Sequence, residues 1–194
     1  MKTYKIHLLR HGMTEANEKH LYCGSTDLPL SAAGAAALRT LRYDVKNAVF
    51  LTSGMQRTEQ TLELLFGRVP HRREPRLREM DFGCFEMRGY EELKDDPAYQ
   101  DWITGDNEGK AAPGGESGRA MEQRALEAFF DCFPPAQDTV IVTHGGVIAA
   151  IMARLFPQEG KNRYEWQPTG GEGYELRMDG GKALSYRKIP ETPA

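Results

Sequence analysis

Apolar and polar positions change rhythm several times along these 194 residues, and the changes mark candidate elements. Tyr4 to Leu9 is a short, mostly apolar run that predicts a strand entering a core. Ser31 offers a helix N-cap, and the alanine-rich AAGAAALRTLRY that follows spaces Leu38 and Leu41 to face inward. NAVFLTS predicts a second strand from Asn47 to Thr52, after which Ser53 and Gln56 form a capping-box pattern opening a helix through RTEQTLELLF. Leu62, Leu65 and Phe66 share one face of that helix, and Gly67 ends it before the extended RVPHRRE.

Regularity weakens from Arg76 to Gly118, where short helical fragments alternate with Gly and Pro. A stretch that long is either functional or disordered, and its aromatics Phe82, Phe85, Tyr90, Tyr99 and Trp102 argue against disorder. It reads as an insert covering a site. A helix from about Ser117 to Phe133 leads into DTVIVTHGG, a β-branched buried strand, and a helix from Val147 to Leu155 follows. GYELRMDGGKALSYRKI alternates around Asp-Gly-Gly and predicts a terminal hairpin. Strands alternating with helices indicate an α/β class with a mainly parallel sheet. Nothing in the pattern separates two domains, so a single domain over 1–194 is expected, with an irregular insert at about 76–118.

Composition narrows the function classes. A net charge of −3 argues against a general nucleic-acid binder, which needs a basic surface. Cys23, Cys84 and Cys132 are odd in number and far apart, so neither a C-x-x-C metal pair nor a disulfide framework is indicated, and a reducing cytoplasmic setting is the expectation. The first apolar run is too short for a signal h-region or a membrane span.

Two of the predicted strands end in histidine followed by glycine: Arg10-His11-Gly12 and Thr143-His144-Gly145. In open α/β sheets ligands bind beyond the carboxyl ends of strands, where a following helix N-terminus favours an anion. Gly12 and Gly145 would let the backbone approach such a ligand, and Arg10 and Arg57 supply forked, permanently charged donors suited to phosphate. His11 and His144 are then candidates for nucleophile, acid, base or metal ligand. Metal is disfavoured, because H-x-H and H-E-x-x-H spacings are absent and the arginines would repel a cation. The plain alternative for an isolated Arg-His-Gly is a satisfied core histidine beside a surface arginine.

LLRHGMTEAN, GSTDLPLSAAG, SGMQRTEQT, LREMDFGCFE, PGGES and VTHGGVI occur in this order between Leu8 and Ile148. Together they resemble the histidine phosphatase superfamily, the phosphoglycerate-mutase-like phosphatases. The resemblance implies a three-layer α/β/α sandwich and metal-independent phosphoryl transfer through a phosphohistidine, with no cofactor. It casts His11 as the nucleophile, Arg10, Arg57 and His144 as the rest of the phosphate pocket, Asn17 as a further phosphate contact, and Glu79 as the acid that serves the leaving group and then water. Asp81 and Glu86 are alternative acids; Glu116 either caps a helix or touches substrate, and Arg88 is either surface charge or a substrate contact. YCGSTDLPLS, FGCFEMRGYEEL and YQDW resemble the α-ribazole phosphatases, which remove a 5′-phosphate from a nucleotide late in cobalamin assembly. Cys84-Phe85 departs from the more usual polar residue and tryptophan. A broad-specificity sugar or nucleotide phosphatase, a phosphoglycerate mutase and a non-catalytic phosphate-binding module are the alternatives. Expected partners are a small phosphorylated substrate and, through the hairpin edge, a second copy of the chain; neither nucleic acid nor membrane is expected.

Overall fold

The computed structural model describes residues 3–106, 108–132 and 137–190. Six strands form one sheet in the order β3-β2-β4-β1-β5-β6. They are β1 (Tyr4–Arg10), β2 (Val49–Thr52), β3 (Arg72–Arg73), β4 (Thr139–Thr143), β5 (Gly173–Asp179) and β6 (Lys182–Ile189). β3, β2, β4 and β1 run parallel, while β5 and β6 form the antiparallel terminal hairpin around Asp179-Gly180-Gly181. The chain leaves β1, lays β2 two places away, and later inserts β4 between them.

β4 is buried at every position because both of its faces are covered: Ile141 points into the larger core, and Val140 and Val142 into the smaller one. The same alternation splits β1, with Ile6 and Leu8 on one side and Leu9 on the other. Helices α6 (Gly118–Asp131) and α7 (Gly145–Leu155) pack on the face that carries the larger core. Helices α2 (Ala32–Leu38) and α3 (Gln56–Phe66) pack together, with α3 against β4 and its Leu62 in the opposite core. This is the expected three-layer arrangement.

Several local expectations shift. α2 stops at Leu38, capped as predicted by Ser31, so Leu41 lies beyond it. α3 is capped by Met55 without a side-chain bond, because Ser53 is drawn into the site instead of closing a capping box. α7 begins at Gly145, two residues earlier than the apolar pattern suggested. α6 starts after its cap Ser117 and ends at Asp131; Phe133, the expected end, lies outside the described residues. The irregular stretch contains two 3-10 turns and the short helices α4 (Tyr90–Leu93) and α5 (Pro97–Thr104). Most of its aromatics are packed: Phe85, Tyr99 and Trp102 are buried, Phe82 lies against Trp102, and Tyr22 joins them from the loop after α1 (Glu15–Glu18), whereas Tyr90 is exposed. No helix among the described residues is long and apolar enough to cross a membrane.

Candidate active site

β1 and β4 are neighbours with Arg10 opposite Thr143, so the next residues, His11 and His144, leave the sheet side by side. Their rings lie 5.0 Å apart in an edge-to-face arrangement, and both are buried. The two strand-end histidines therefore belong to one site.

His11 has a defined tautomer. Its Nδ1 lies 2.6 Å from the Gly12 carbonyl oxygen, which can only accept, so Nδ1 carries the hydrogen and Nε2 keeps a free lone pair. The Gly12 amide in turn donates to Thr61 Oγ1 on α3, at 2.9 Å. Burial, reinforced by Arg57 and then Arg10 and opposed by the Gly12 carbonyl, holds His11 down at about 3, so the ring is neutral near pH 7.

A hydroxyl relay orients His144. Thr58 Oγ1 donates to the Met55 carbonyl, which obliges Ser53 Oγ to donate to Thr58 and to accept from His144 Nε2, at 2.8 Å. Nδ1 is thus the acceptor, and Arg57 Nε approaches it at 3.4 Å. Burial, with smaller contributions from His11 and Arg57, lowers His144 well below its ordinary value.

Arg57 is 1 % exposed and donates to the carbonyls of Gly24 and Thr26, at 2.8 Å each. Arg10 donates to the Pro168 carbonyl at 2.9 Å. Among the described residues neither guanidinium has a carboxylate partner within salt-bridge distance, although carbonyl dipoles do not neutralise a buried cation. An anion between them would.

Arg10, His11, Asn17 and Glu79 line one cleft of about 260 Å³. Asn17 closes a capping box with Thr14, accepting from its amide and hydroxyl at 3.0 Å, which commits Oδ1 and leaves Nδ2 as the group for a ligand. Glu79 accepts from the Gly146 amide at 2.9 Å, on the first turn of α7, and from the Met80 amide. A Cβ at Gly146 would sit 2.4 Å from the Glu79 carboxylate, and one at Gly145 3.3 Å from the Arg10 guanidinium. Gly12 has Leu38 against the corresponding position, at 2.7 Å. These glycines make room for the protein's own side chains, a different reason from the close ligand approach that the sequence suggested.

The rival acids are occupied elsewhere. Asp81 accepts from Ser25 Oγ and the Gly83 amide, and Glu86 accepts from the amides of Gly24, Ser25, Thr26 and Phe82. Glu116 neither caps α6 nor faces the cleft; it pairs with Arg124 and accepts from the Asp81 amide. Arg88 lies against Asp96 and the Glu92 carbonyl. Beyond the cup the cleft opens onto Tyr22, Phe82 and Trp102, with Ile103 and Tyr164 exposed at its mouth. Arg163 at the same rim is paired with Glu108 at 2.7 Å.

Sequence reasoning missed the roles of five residues: the relay of Ser53 and Thr58, the grip of Glu86 on the loop at 24–26, Arg124 behind Glu116, and Tyr164 at the mouth. The first pair lies inside the quoted SGMQRTEQT segment. Arg124 carried its own signal, since it interrupts the inward stripe of Met121, Ala125 and Ala128.

Strand-end histidines in register, flanked by two arginines with no carboxylate partner among the described residues, define the class. The sequence profile of the histidine phosphatase superfamily (branch 1) matches residues 6–187, and the chain belongs to that family. Among individual proteins it is 34% identical over 180 residues to the adenosylcobalamin/alpha-ribazole phosphatase of Salmonella typhimurium, a match covering 86% of this chain and 87% of the relative. The crystal structure of the alpha-ribazole phosphatase from Shigella flexneri superposes with a TM-score of 0.80 at 30% identity, covering 92% of this chain and 93% of that one. A phosphoglycerate mutase from Thermus thermophilus gives 0.71 at 30% identity, covering 94% of this chain and 97% of that one.

Proposed function

We propose that the protein is a phosphomonoesterase that works through a phosphohistidine on His11 and takes α-ribazole 5′-phosphate as substrate. The observation that carries the reaction is the His11 ring: neutral, buried, fixed by Gly12, with Nε2 free beside two guanidinium groups. The transferred phosphoryl group spreads charge over its equatorial oxygens, so catalysis consists of placing cationic donors around it and a nucleophile in line. Arg10, Arg57 and Asn17 hold those oxygens, with the Gly145 end of α7 adding its dipole, while His144, whose one N–H goes to Ser53, accepts from Arg57 Nε and so orients that guanidinium. His11 Nε2 forms the P–N bond as the P–O ester bond breaks, and Glu79 gives its proton to the leaving oxygen. Water then attacks phosphorus, Glu79 takes the water's proton, and the P–N bond breaks to release phosphate and restore neutral His11. No metal ion enters the scheme.

The aromatic wall of Tyr22, Phe82 and Trp102, with Tyr164 at the mouth, supports a leaving group that carries a flat base. Phosphoglycerate, small and doubly acidic, would meet apolar rings there, and the rim cation Arg163 is already paired. The substrates in the names of the Salmonella and Shigella relatives agree with the first reading. In this proposal 1–194 acts as one histidine-phosphatase unit, and residues 76–118 form the wall that selects the leaving group.

The test is phosphate release from α-ribazole 5′-phosphate, ribose 5-phosphate and 3-phosphoglycerate with a chelator present. α-Ribazole 5′-phosphate should be cleaved best, and His11→Ala should lose activity by a factor on the order of 10⁴ along with the acid-labile phosphate trapped on the chain. A requirement for added divalent metal, or full turnover by His11→Ala, contradicts the mechanism; preference for phosphoglycerate contradicts only the substrate.

A further inference from the structure

Arg124 projects from α6 into the irregular stretch that carries Glu79. Its Nη1 donates to the carbonyls of Arg76 and Arg78, at 2.8 and 2.7 Å, and its Nη2 to the carbonyl of Glu79 itself, at 3.0 Å. The remaining donors grip Glu116, with Nε 3.0 Å from Oε2 and Nη2 on Oε1. Glu116 Oε1 in turn accepts from the Asp81 amide at 3.1 Å. One guanidinium thus holds the main chain on both sides of Glu79, directly at residues 76, 78 and 79 and through Glu116 at residue 81.

This grip bears on chemistry because the other end of Glu79 is fixed on a different element. Its carboxylate is held by the Gly146 amide at the start of α7. Between Leu77 and the 3-10 turn at Gly83–Phe85 the chain has no strand or helix of its own to fix it. A shift of the main chain there would pull the carboxylate off Gly146, and misplacement by about 1 Å is enough to cost on the order of 10²-fold in rate. A lysine could reach one or two of these acceptors, but only the planar fork of arginine spans them all.

We propose that Arg124 is a positioning residue that sets the place of the Glu79 carboxyl, and hence the rate of proton delivery to the leaving group. The proposal rests on the reading of Glu79 as the acid. It makes the effect of Arg124 depend on the basicity of the departing oxygen, which general support of the fold would not do. A strongly basic alkoxide needs the proton, whereas 4-nitrophenolate leaves without it.

The experiment compares kcat/KM for 4-nitrophenyl phosphate and for the best-cleaved alkyl ester of the panel above, in Arg124→Met, Arg124→Lys, Glu79→Gln and the Arg124→Met/Glu79→Gln pair. Both Arg124 variants should lose on the order of 10- to 100-fold on the alkyl ester and less than about threefold on the aryl ester. In the Glu79→Gln background the Arg124→Met change should add no further loss on the alkyl ester. Equal losses on both esters, additive losses in the pair, or failure of both Arg124 variants to cleave the aryl ester would overturn the proposal while Glu79→Gln remains selective. If Glu79→Gln itself slows both esters alike, the assignment of Glu79 falls, and this proposal with it.

Discussion

His11 and His144 are the same residue type 5.0 Å apart, yet they reach opposite tautomers. A carbonyl acceptor one residue along fixes His11 as Nδ1–H, whereas the Ser53–Thr58–Met55 relay fixes His144 as Nε2–H. Ser53→Ala deletes the acceptor without disturbing the helix cap, which Ser53 does not supply. It should cost about 1–3 kcal/mol in denaturant unfolding, the range for leaving a buried polar group unsatisfied. Activity should fall as well, because His144 is then free to choose its tautomer. An unchanged unfolding midpoint would remove the relay from the account.

Elements rather than single side chains hold Arg57 in place. Its two carbonyl partners, on Gly24 and Thr26, belong to a loop with no ladder bonds, and Glu86 gathers that loop by accepting from the amides of Gly24, Ser25 and Thr26 and, at 2.6 Å, from the Thr26 hydroxyl. Every group facing Glu86 is a donor. Glu86→Gln turns one oxygen into an NH₂ that points at N–H groups, so the loop should loosen and release Arg57. The expected result is about tenfold weaker binding of inorganic phosphate in calorimetry, equivalent to about 1.4 kcal/mol, with the helical circular dichroism unchanged. Unaltered phosphate affinity would show that Arg57 stands without the loop.

Parallel strands inserted out of chain order bring distant segments together and bury the cup, and the whole molecule bears the cost of keeping histidines uncharged there. Folded His11 sits at about 3, below the ordinary 6.5, and His144 and His7 are lowered in the same direction, chiefly by burial. Between those values the unfolded chain binds protons that the folded chain refuses, so stability is fully present above about pH 6.5 and declines as pH falls toward 3. Each refused proton contributes a slope of about 1.4 kcal/mol per pH unit. His11→Asn should flatten the decline measured by urea unfolding from pH 7 to 4. A wild-type curve that stays level over that interval would mean the histidines accept protons in the folded state.

Much of this was legible in residue order. The strand ends, the hairpin, the α/β class and the quoted motifs all depend on local rhythm or on residues a few positions apart, and local covalent spacing dictates which faces of a helix or strand are apolar. What the chain order could not convey is that β4 lies between β1 and β2, with Arg10 in register with Thr143. That register alone makes two remote histidines one site. Loop packing in turn decided which of three nearby carboxylates reaches the cleft, since Asp81 and Glu86 lie two and seven residues from Glu79 but spend their oxygens on loop amides. The partners of a hydrogen bond are chosen by distance in space, and only the packed sheet and helices set that distance.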